Sequence, residues 1–217
     1  MSNYIKILPN SLIMRYKVWK TTAYEENKNW YTKIAIEGQN PLSMVISCCD
    51  SRVHATSIFG AESGEFFIHR NIANLVPPYN PNGDHHGTSA AVEYALNTLN
   101  VSHIIILGHS NCGGIESGYR LFCGNQILDK SIFVNKWLNI LKPAYENIKK
   151  NINQFDEWNN TDLEKESIKF SLNNLTDFPF VKSALNKKKL ALHGVWHDIG
   201  SGTLEVLDPI SMNFKKI

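Results

Sequence analysis

Two polar clusters each follow a short apolar run, and this feature constrains the fold more than any other in the sequence. The run Met44-Val45-Ile46 leads into Ser47-Cys48-Cys49-Asp50-Ser51-Arg52-Val53. The run at 103–107 leads into His109-Ser110-Asn111-Cys112-Gly113-Gly114. Short apolar runs of this kind are typical of buried strands, and open α/β folds place their chemistry where such strands end. We therefore expect both clusters at strand ends in an α/β sheet.

Together the clusters supply two thiols and one imidazole, from Cys48, His109 and Cys112. Zinc prefers these ligands, and three protein ligands leave one position of a tetrahedral site open. An open position is typical of catalytic zinc rather than structural zinc. Cys112 also precedes a predicted helix, whose N-terminus favours a thiolate. The clusters therefore predict a zinc ion with a catalytic role.

Composition excludes several classes of protein. The chain has 217 residues and a formal charge of +2, with its basic residues scattered, so we expect no nucleic-acid partner. No run approaches the roughly 20 apolar residues that span a bilayer, so we expect no membrane partner. The first residues lack a basic segment followed by an apolar one, and the four cysteines are too few for a disulfide scaffold. We therefore expect a cytoplasmic protein.

Strand-like and helix-like segments alternate, which predicts an α/β fold with a mainly parallel sheet. We expect an N-terminal helical arm at 1–37 and a single α/β domain at 38–217. Further strands are expected at 64–70, 190–196 and 203–207. Thr88 is interpreted as a helix N-cap. Thr161-Asp162-Leu163-Glu164 has the pattern of a capping box, which predicts a helix from there to Leu175.

The residues of the two clusters resemble those of the β-class carbonic anhydrases. The resemblance rests on Cys48-x-Asp50-Ser51-Arg52, on His109-x-x-Cys112 and on the distance between them. It continues through Phe67 and 70–79, covers 39–120 well, and is looser elsewhere. It implies a central, mostly parallel four-stranded sheet with an antiparallel edge strand and flanking helices. It also implies a homodimer or a larger homo-oligomer such as a tetramer.

The resemblance implies that Cys48, His109 and Cys112 bind Zn²⁺ and that Asp50 and Arg52 form a catalytic pair beside it. The implied reaction is the reversible hydration of carbon dioxide to bicarbonate and a proton by zinc-bound hydroxide. Asp50 would accept a hydrogen bond from that hydroxide, and Arg52 would hold Asp50 away from the metal.

The family has a plant-like subgroup, and its substrate pocket corresponds here to Gln39, Phe67 and Tyr94, with Gly113 offering its backbone amide. Local sequence alone would make Gln39 a turn residue. In the family such pockets lie at a dimer interface, so residues of two chains share one site.

A different subgroup closes its site at low pH, using a tryptophan, an arginine and a tyrosine to bind bicarbonate. The corresponding positions here are Val45, Arg70 and His197, so only the arginine is present. We therefore expect the open form of the site, with Arg70 bound to backbone carbonyls or a carboxylate.

Two alternatives remain open on the sequence. One is a hydrolase of the same fold that acts on another small linear molecule such as carbon disulfide. The other is a non-catalytic zinc-binding protein or redox sensor that uses Cys48 and Cys112. The pair of Asp50 and Arg52 argues against a sensor, because a sensor needs no positioned acceptor beside an open metal position.

Overall fold

The structure is a computed structural model that describes residues 4–83, 86–124, 131–151 and 160–217. The chain divides into two compact units, Met1–Asn40 and Pro41–Ile217. The first unit consists of α1 (Asn10–Thr21), α2 (Ala23–Glu26) and α3 (Lys28–Glu37). Within it the rings of Tyr24 and Tyr31 stack with their centroids 5.3 Å apart. Gly38 then takes a φ of 78°, which ends α3.

The second unit is built on a six-stranded sheet in the order β2-β1-β3-β4-β5-β6. The strands are β1 (Ser43–Cys48), β2 (Phe66–Asn71), β3 (His103–His109), β4 (Ala191–His197), β5 (Leu204–Leu207) and β6 (Phe214–Lys216). The first four pair in parallel, whereas β5 and β6 are antiparallel. The predicted α/β class, the four parallel strands and an antiparallel edge are confirmed. The sequence did not predict β6, which extends that edge by one short strand.

Helices connect the strands and cover the sheet. They are α4 (Ala55–Phe59), α5 (His86–Asn97), α6 (Gly113–Phe122), α7 (Ile132–Leu138), α8 (Lys142–Asn151), α9 (Asn160–Thr176) and α10 (Pro179–Asn186). The N-cap interpretation of Thr88 is wrong, because α5 already includes His86. The Thr88 hydroxyl instead lies 3.0 Å from Nε2 of His69 on β2. Thr88 therefore makes a tertiary contact with His69 instead of capping its own helix.

The sheet has apolar residues on both faces. Met44 and Ile46 of β1 belong to the larger core with Ile104 and Ile106 of β3, while Val45 belongs to a second cluster on the opposite face. This double burial explains the continuous apolar runs in the sequence. In the register of β1 and β3, residue 47 pairs with residue 107, so both strands end at the same edge. The two polar clusters meet there.

Within the described ranges, no helix has both the length and the apolar character that a bilayer span requires.

The core assignment predicts a large difference between two isoleucine truncations. Ile104 is fully buried in β3, whereas Ile210 is 94% exposed before β6. Ile104→Ala should lower the free energy of unfolding by about 2–5 kcal/mol, because it removes buried methyl groups and leaves a cavity. Ile210→Ala should change it by less than about 0.5 kcal/mol. Urea unfolding measures both, and equal losses would contradict the core described here.

Candidate metal centre

Three backbone positions bring the predicted zinc ligands together. Cys48 is the last residue of β1, His109 is the last of β3, and Cys112 is the N-cap of α6. All three are buried. Their ligand atoms lie within 4.8 Å of one another, and among the described residues they form the one group of three or more such side chains with a metal-binding arrangement.

The ligand atoms fit a tetrahedral zinc ion. Two sulfur atoms that are each about 2.3 Å from zinc, at a tetrahedral angle, are separated by about 3.8 Å. The Sγ atoms of Cys48 and Cys112 are 3.8 Å apart. Nδ1 of His109 donates to the carbonyl oxygen of Ser110 at 2.9 Å, which leaves the lone pair on Nε2. That Nε2 is buried and has no hydrogen-bond partner among the described residues, as expected of a metal ligand.

The two sulfur atoms are close enough for one thiol to donate a hydrogen bond to the other when no cation lies between them. The hydrogen bond from Cys112 lowers the pKa of Cys48 well below the usual range of a thiol. The same bond and burial raise the pKa of Cys112 far above its usual range. A divalent cation between the sulfurs removes this difference between the two pKa values, because its charge lets both sulfurs remain thiolates. The pair of thiols is therefore suited to a metal ion.

Asp50 and Arg52 form a bidentate pair in the loop after β1. Arg52 donates from Nε to Oδ1 at 2.9 Å and from Nη2 to Oδ2 at 2.7 Å, and its backbone amide also donates to Oδ1. These hydrogen bonds hold the pKa of the Asp50 carboxyl well below its usual range. Oδ2 lies 4.0 Å from Nε2 of His109. An ionised acceptor therefore stands beside the candidate metal position.

Arg70 fixes the backbone of the same loop. Its Nε donates to the carbonyl oxygen of Cys48 at 3.0 Å, and its Nη2 donates to those of Asp50 and Val53 at 2.7 and 2.9 Å. This is the backbone role that the sequence predicted for Arg70. Arg52 reaches the second loop as well, because its Nη2 donates to the carbonyl oxygen of Asn111 at 3.1 Å.

The predicted substrate residues belong to different elements of the chain. Phe67 of β2 and Tyr94 of α5 are neighbours, with ring centroids 5.8 Å apart, and Tyr94 is 45% exposed. Gly113 follows Cys112 as the first residue of α6, and a Cβ built on it would meet nothing within 4 Å. Gln39 is exposed in the first unit, after α3. Its part in a substrate pocket stays a prediction.

Sequence reasoning missed the contacts of Glu164. The capping-box interpretation is wrong, because α9 begins at Asn160 and the Glu164 carboxylate does not bind the start of the helix. It accepts hydrogen bonds from the backbone amide of Cys112 at 3.0 Å and from Nε1 of Trp196 at 3.1 Å. No local pattern signals these partners, which are 52 and 32 residues away.

Comparison with known proteins places the chain in a family. A family model described as carbonic anhydrase matches residues 43–204. Beta carbonic anhydrase 3 of Arabidopsis thaliana is 40% identical over 189 residues, which cover 87% of this chain and 72% of the relative.

Solved structures agree with this placement. The beta-carbonic anhydrase CcaA is 28% identical with a TM-score of 0.86, over 96% of this chain and 91% of that one. One of two tetrameric beta-carbonic anhydrases from the filamentous ascomycete Sordaria macrospora is 30% identical with a TM-score of 0.75, over 91% and 95% of the two chains.

The chain belongs to the beta-carbonic anhydrase family. It is accordingly a zinc-dependent lyase that interconverts carbon dioxide and bicarbonate, and its Cys48, His109 and Cys112 form a group that fits the metal. Its similarity to a plant enzyme is consistent with the plant-like subgroup.

Loss of a cysteine ligand should remove the metal. Cys112→Ser replaces a thiolate by a hydroxyl that binds zinc weakly, so bound zinc should fall from one ion per chain toward none. Cys49 and Cys123 are exposed, and Cys49→Ser and Cys123→Ser are the matched controls that should keep their zinc. Elemental analysis after gel filtration measures zinc per chain. Full zinc in Cys112→Ser would contradict the ligand assignment.

Proposed function

We propose that Asp50 and Arg52 are the catalytic pair for hydration of carbon dioxide, acting beside a zinc ion on Cys48, His109 and Cys112. The observation that carries this proposal is the position of the Asp50 carboxylate. Two side-chain donors of Arg52 hold it, and its Oδ2 lies 4.0 Å from Nε2 of His109. When bound, zinc supplies the Lewis acidity that makes hydroxide available near neutral pH.

The chain's own residues orient the nucleophile. Asp50 stays ionised, so Oδ2 can accept a hydrogen bond from an O–H group at the open side of the site and turn the oxygen lone pair toward carbon dioxide. Arg52 keeps both carboxylate oxygens engaged, so that Asp50 does not turn onto the metal. The oxygen of water becomes bonded to carbon, bicarbonate leaves, and one proton passes to solvent.

Asp50→Asn separates this role from metal binding. The amide keeps the size of the side chain but cannot serve as an ionised acceptor paired with Arg52. Hydration activity should fall by about 10²–10³-fold, as is common when a preorganised electrostatic partner is lost, while zinc stays bound. Stopped-flow hydration of carbon dioxide and zinc analysis on the same sample measure the two effects.

The exposed Asp177 provides a matched control, and Asp177→Asn should behave as the parent protein. An Asp50→Asn protein with parental turnover would reduce Asp50 to a structural role. Turnover of carbon disulfide, measured on the same parent sample, tests the alternative substrate directly.

We further propose that the substrate pocket is shared between two chains. Phe67 of β2 pairs with Met44 of β1. Cys48 pairs with Asn71, which is four residues farther along β2. At about 3.3 Å per residue, Phe67 is about 13 Å from the level of the metal ligands. At this distance Phe67 and Tyr94 are far from the metal position of their own chain. They are therefore better suited to the substrate pocket of a site on a second chain. The tetrameric assembly of the Sordaria macrospora relative supports a homodimer or larger homo-oligomer.

A shared pocket predicts complementation between two impaired chains. Asp50→Asn impairs the half of a site that holds the metal, and Tyr94→Ala impairs the half that forms the substrate pocket. In a mixed dimer one of the two sites combines both intact halves, so co-refolding the two variants should restore activity that neither variant has. Sedimentation of the parent protein should show a dimer or larger. A fully active monomer, or a co-refolded mixture no better than its components, would refute sharing.

We also propose a cytoplasmic location, because the two thiol ligands must stay reduced to bind the metal, and a reducing compartment keeps them so.

A further inference from the structure

Glu164 is a buried carboxylate beneath the loop that carries Cys112. It lies near the start of α9 and is 1% exposed. Oε1 accepts the hydrogen bond from the backbone amide of Cys112, and Oε2 accepts the one from the indole of Trp196. Burying a charged group is costly unless its polar atoms are satisfied. Both oxygens are engaged here, and one of them holds the backbone of a metal ligand.

The peptide group that Glu164 holds is also held from its other side. The Cys112 amide and the Asn111 carbonyl belong to one peptide group. Glu164 binds its N–H at 3.0 Å, and Arg52 binds its carbonyl oxygen at 3.1 Å. Asn111 has a φ of 53°, in the left-handed region that costs free energy for a residue with a Cβ. The orientation of this peptide group therefore needs outside support.

Close packing of α9 on the sheet brings Glu164 within reach. Ile168, one turn later on the helix, lies against two glycines. A Cβ on Gly108 would be 2.7 Å from its Cδ1, and one on Gly194 would be 3.0 Å from its Cγ2. Because β3 and β4 carry no side chain at these points, the helix approaches them closely. Glu164 lies on the same face as Ile168 and so meets the loop that follows β3.

The second partner of Glu164 is fixed too. Nζ of Lys165 lies 4.5 Å from the centroid of the Trp196 ring and donates to Oε2 of Glu205 at 2.7 Å. The cation and the ring attract each other, which restrains the indole. This contact supports the orientation in which the indole N–H donates to Glu164.

We propose that Glu164 is a positioning residue of the metal centre. It fixes the peptide group between Asn111 and Cys112, and thereby sets both the direction of the Cys112 thiolate and the carbonyl that binds Arg52. The contact is with the Cys112 backbone rather than with its sulfur. The inference rests on the metal site and the catalytic pair proposed above.

Glu164→Gln tests the two acceptor oxygens. Glutamine has nearly the same size but offers one oxygen to two N–H donors, so one donor must face its NH₂ group. Zinc affinity should fall by about 10–100-fold, the usual effect of removing a group that orients a metal ligand, and zinc should be lost to a chelator correspondingly faster. The visible absorption bands of the cobalt-substituted protein should shift as the sulfur moves. Glu166→Gln on the same helix is the matched control and should leave both readouts unchanged.

A double variant distinguishes positioning from general destabilisation. In Glu164→Gln/Trp196→Phe the competing indole N–H is gone, so the single oxygen can bind the Cys112 amide. Zinc loss should then be slower than in Glu164→Gln alone. Two substitutions that only weakened the core would instead make zinc loss at least as fast as in Glu164→Gln alone. The proposal is overturned if Glu164→Gln matches the parent in both readouts, or if the double variant is no better than the single one.

Amide hydrogen exchange in the zinc-loaded parent protein keeps the proposal testable should Glu164→Gln not fold. The Cys112 amide should be strongly protected, and exchange at the rate of an exposed amide would overturn the proposal. Cys112→Ser distinguishes a wrong ligand assignment from a wrong role for Glu164. If it keeps zinc, the ligand assignment itself is wrong. If it loses zinc while Glu164→Gln behaves as the parent, only the role of Glu164 is wrong.

Discussion

The buried contact between the sulfur atoms of Cys48 and Cys112 is the constraint on which the rest of the site depends. At 3.8 Å, two thiolates repel each other unless a cation lies between them. The fold brings them together because β1 and β3 are parallel neighbours that end at the same edge of the sheet. Metal binding and the geometry of both loops are therefore coupled, since the ion stabilises the arrangement that binds it.

Most of the support for these loops acts on their backbone. Arg70 holds three carbonyl oxygens at the end of β1 and in the loop that follows, and Arg52 holds the Asn111 carbonyl of the loop after β3. Arg52 also binds Asp50, so one guanidinium joins the acceptor to the loop that carries Cys112. Backbone contacts of this kind fix where each side chain begins, which leaves Asp50 little freedom beside the metal position.

Local sequence patterns predicted the structural features that depend on residues close together in the sequence. The apolar runs gave the parallel strands, and the spacing of Cys48, His109 and Cys112 gave the metal ligands, since strand ends put the residues that follow them at one edge. Glu164 was missed for the opposite reason. Its distance from Thr161 matches a helix cap, and nothing near it in sequence shows that Cys112 is its partner.

The same reason applies to two smaller errors. The Thr88 hydroxyl binds His69 on a neighbouring strand instead of capping its own helix. The short strand β6, Phe214–Lys216, contains two lysines and pairs with β5 at the edge, so its sequence carries little apolar signal. Long-range pairing decides both cases, and a sequence pattern does not report it.

The hydrogen bonds of the two arginines also favour the open form of the site, which stays a prediction. For Asp50 to bind the metal itself, its carboxylate would have to leave both side-chain donors of Arg52 and the Arg52 backbone amide. An anion bound by Arg70 could drive such a change only by competing with the three carbonyl oxygens that Arg70 already binds. Val45 is fully buried in an apolar cluster and offers that anion no side-chain donor. The guanidinium that would serve a regulatory anion therefore holds the backbone around Asp50 in place instead.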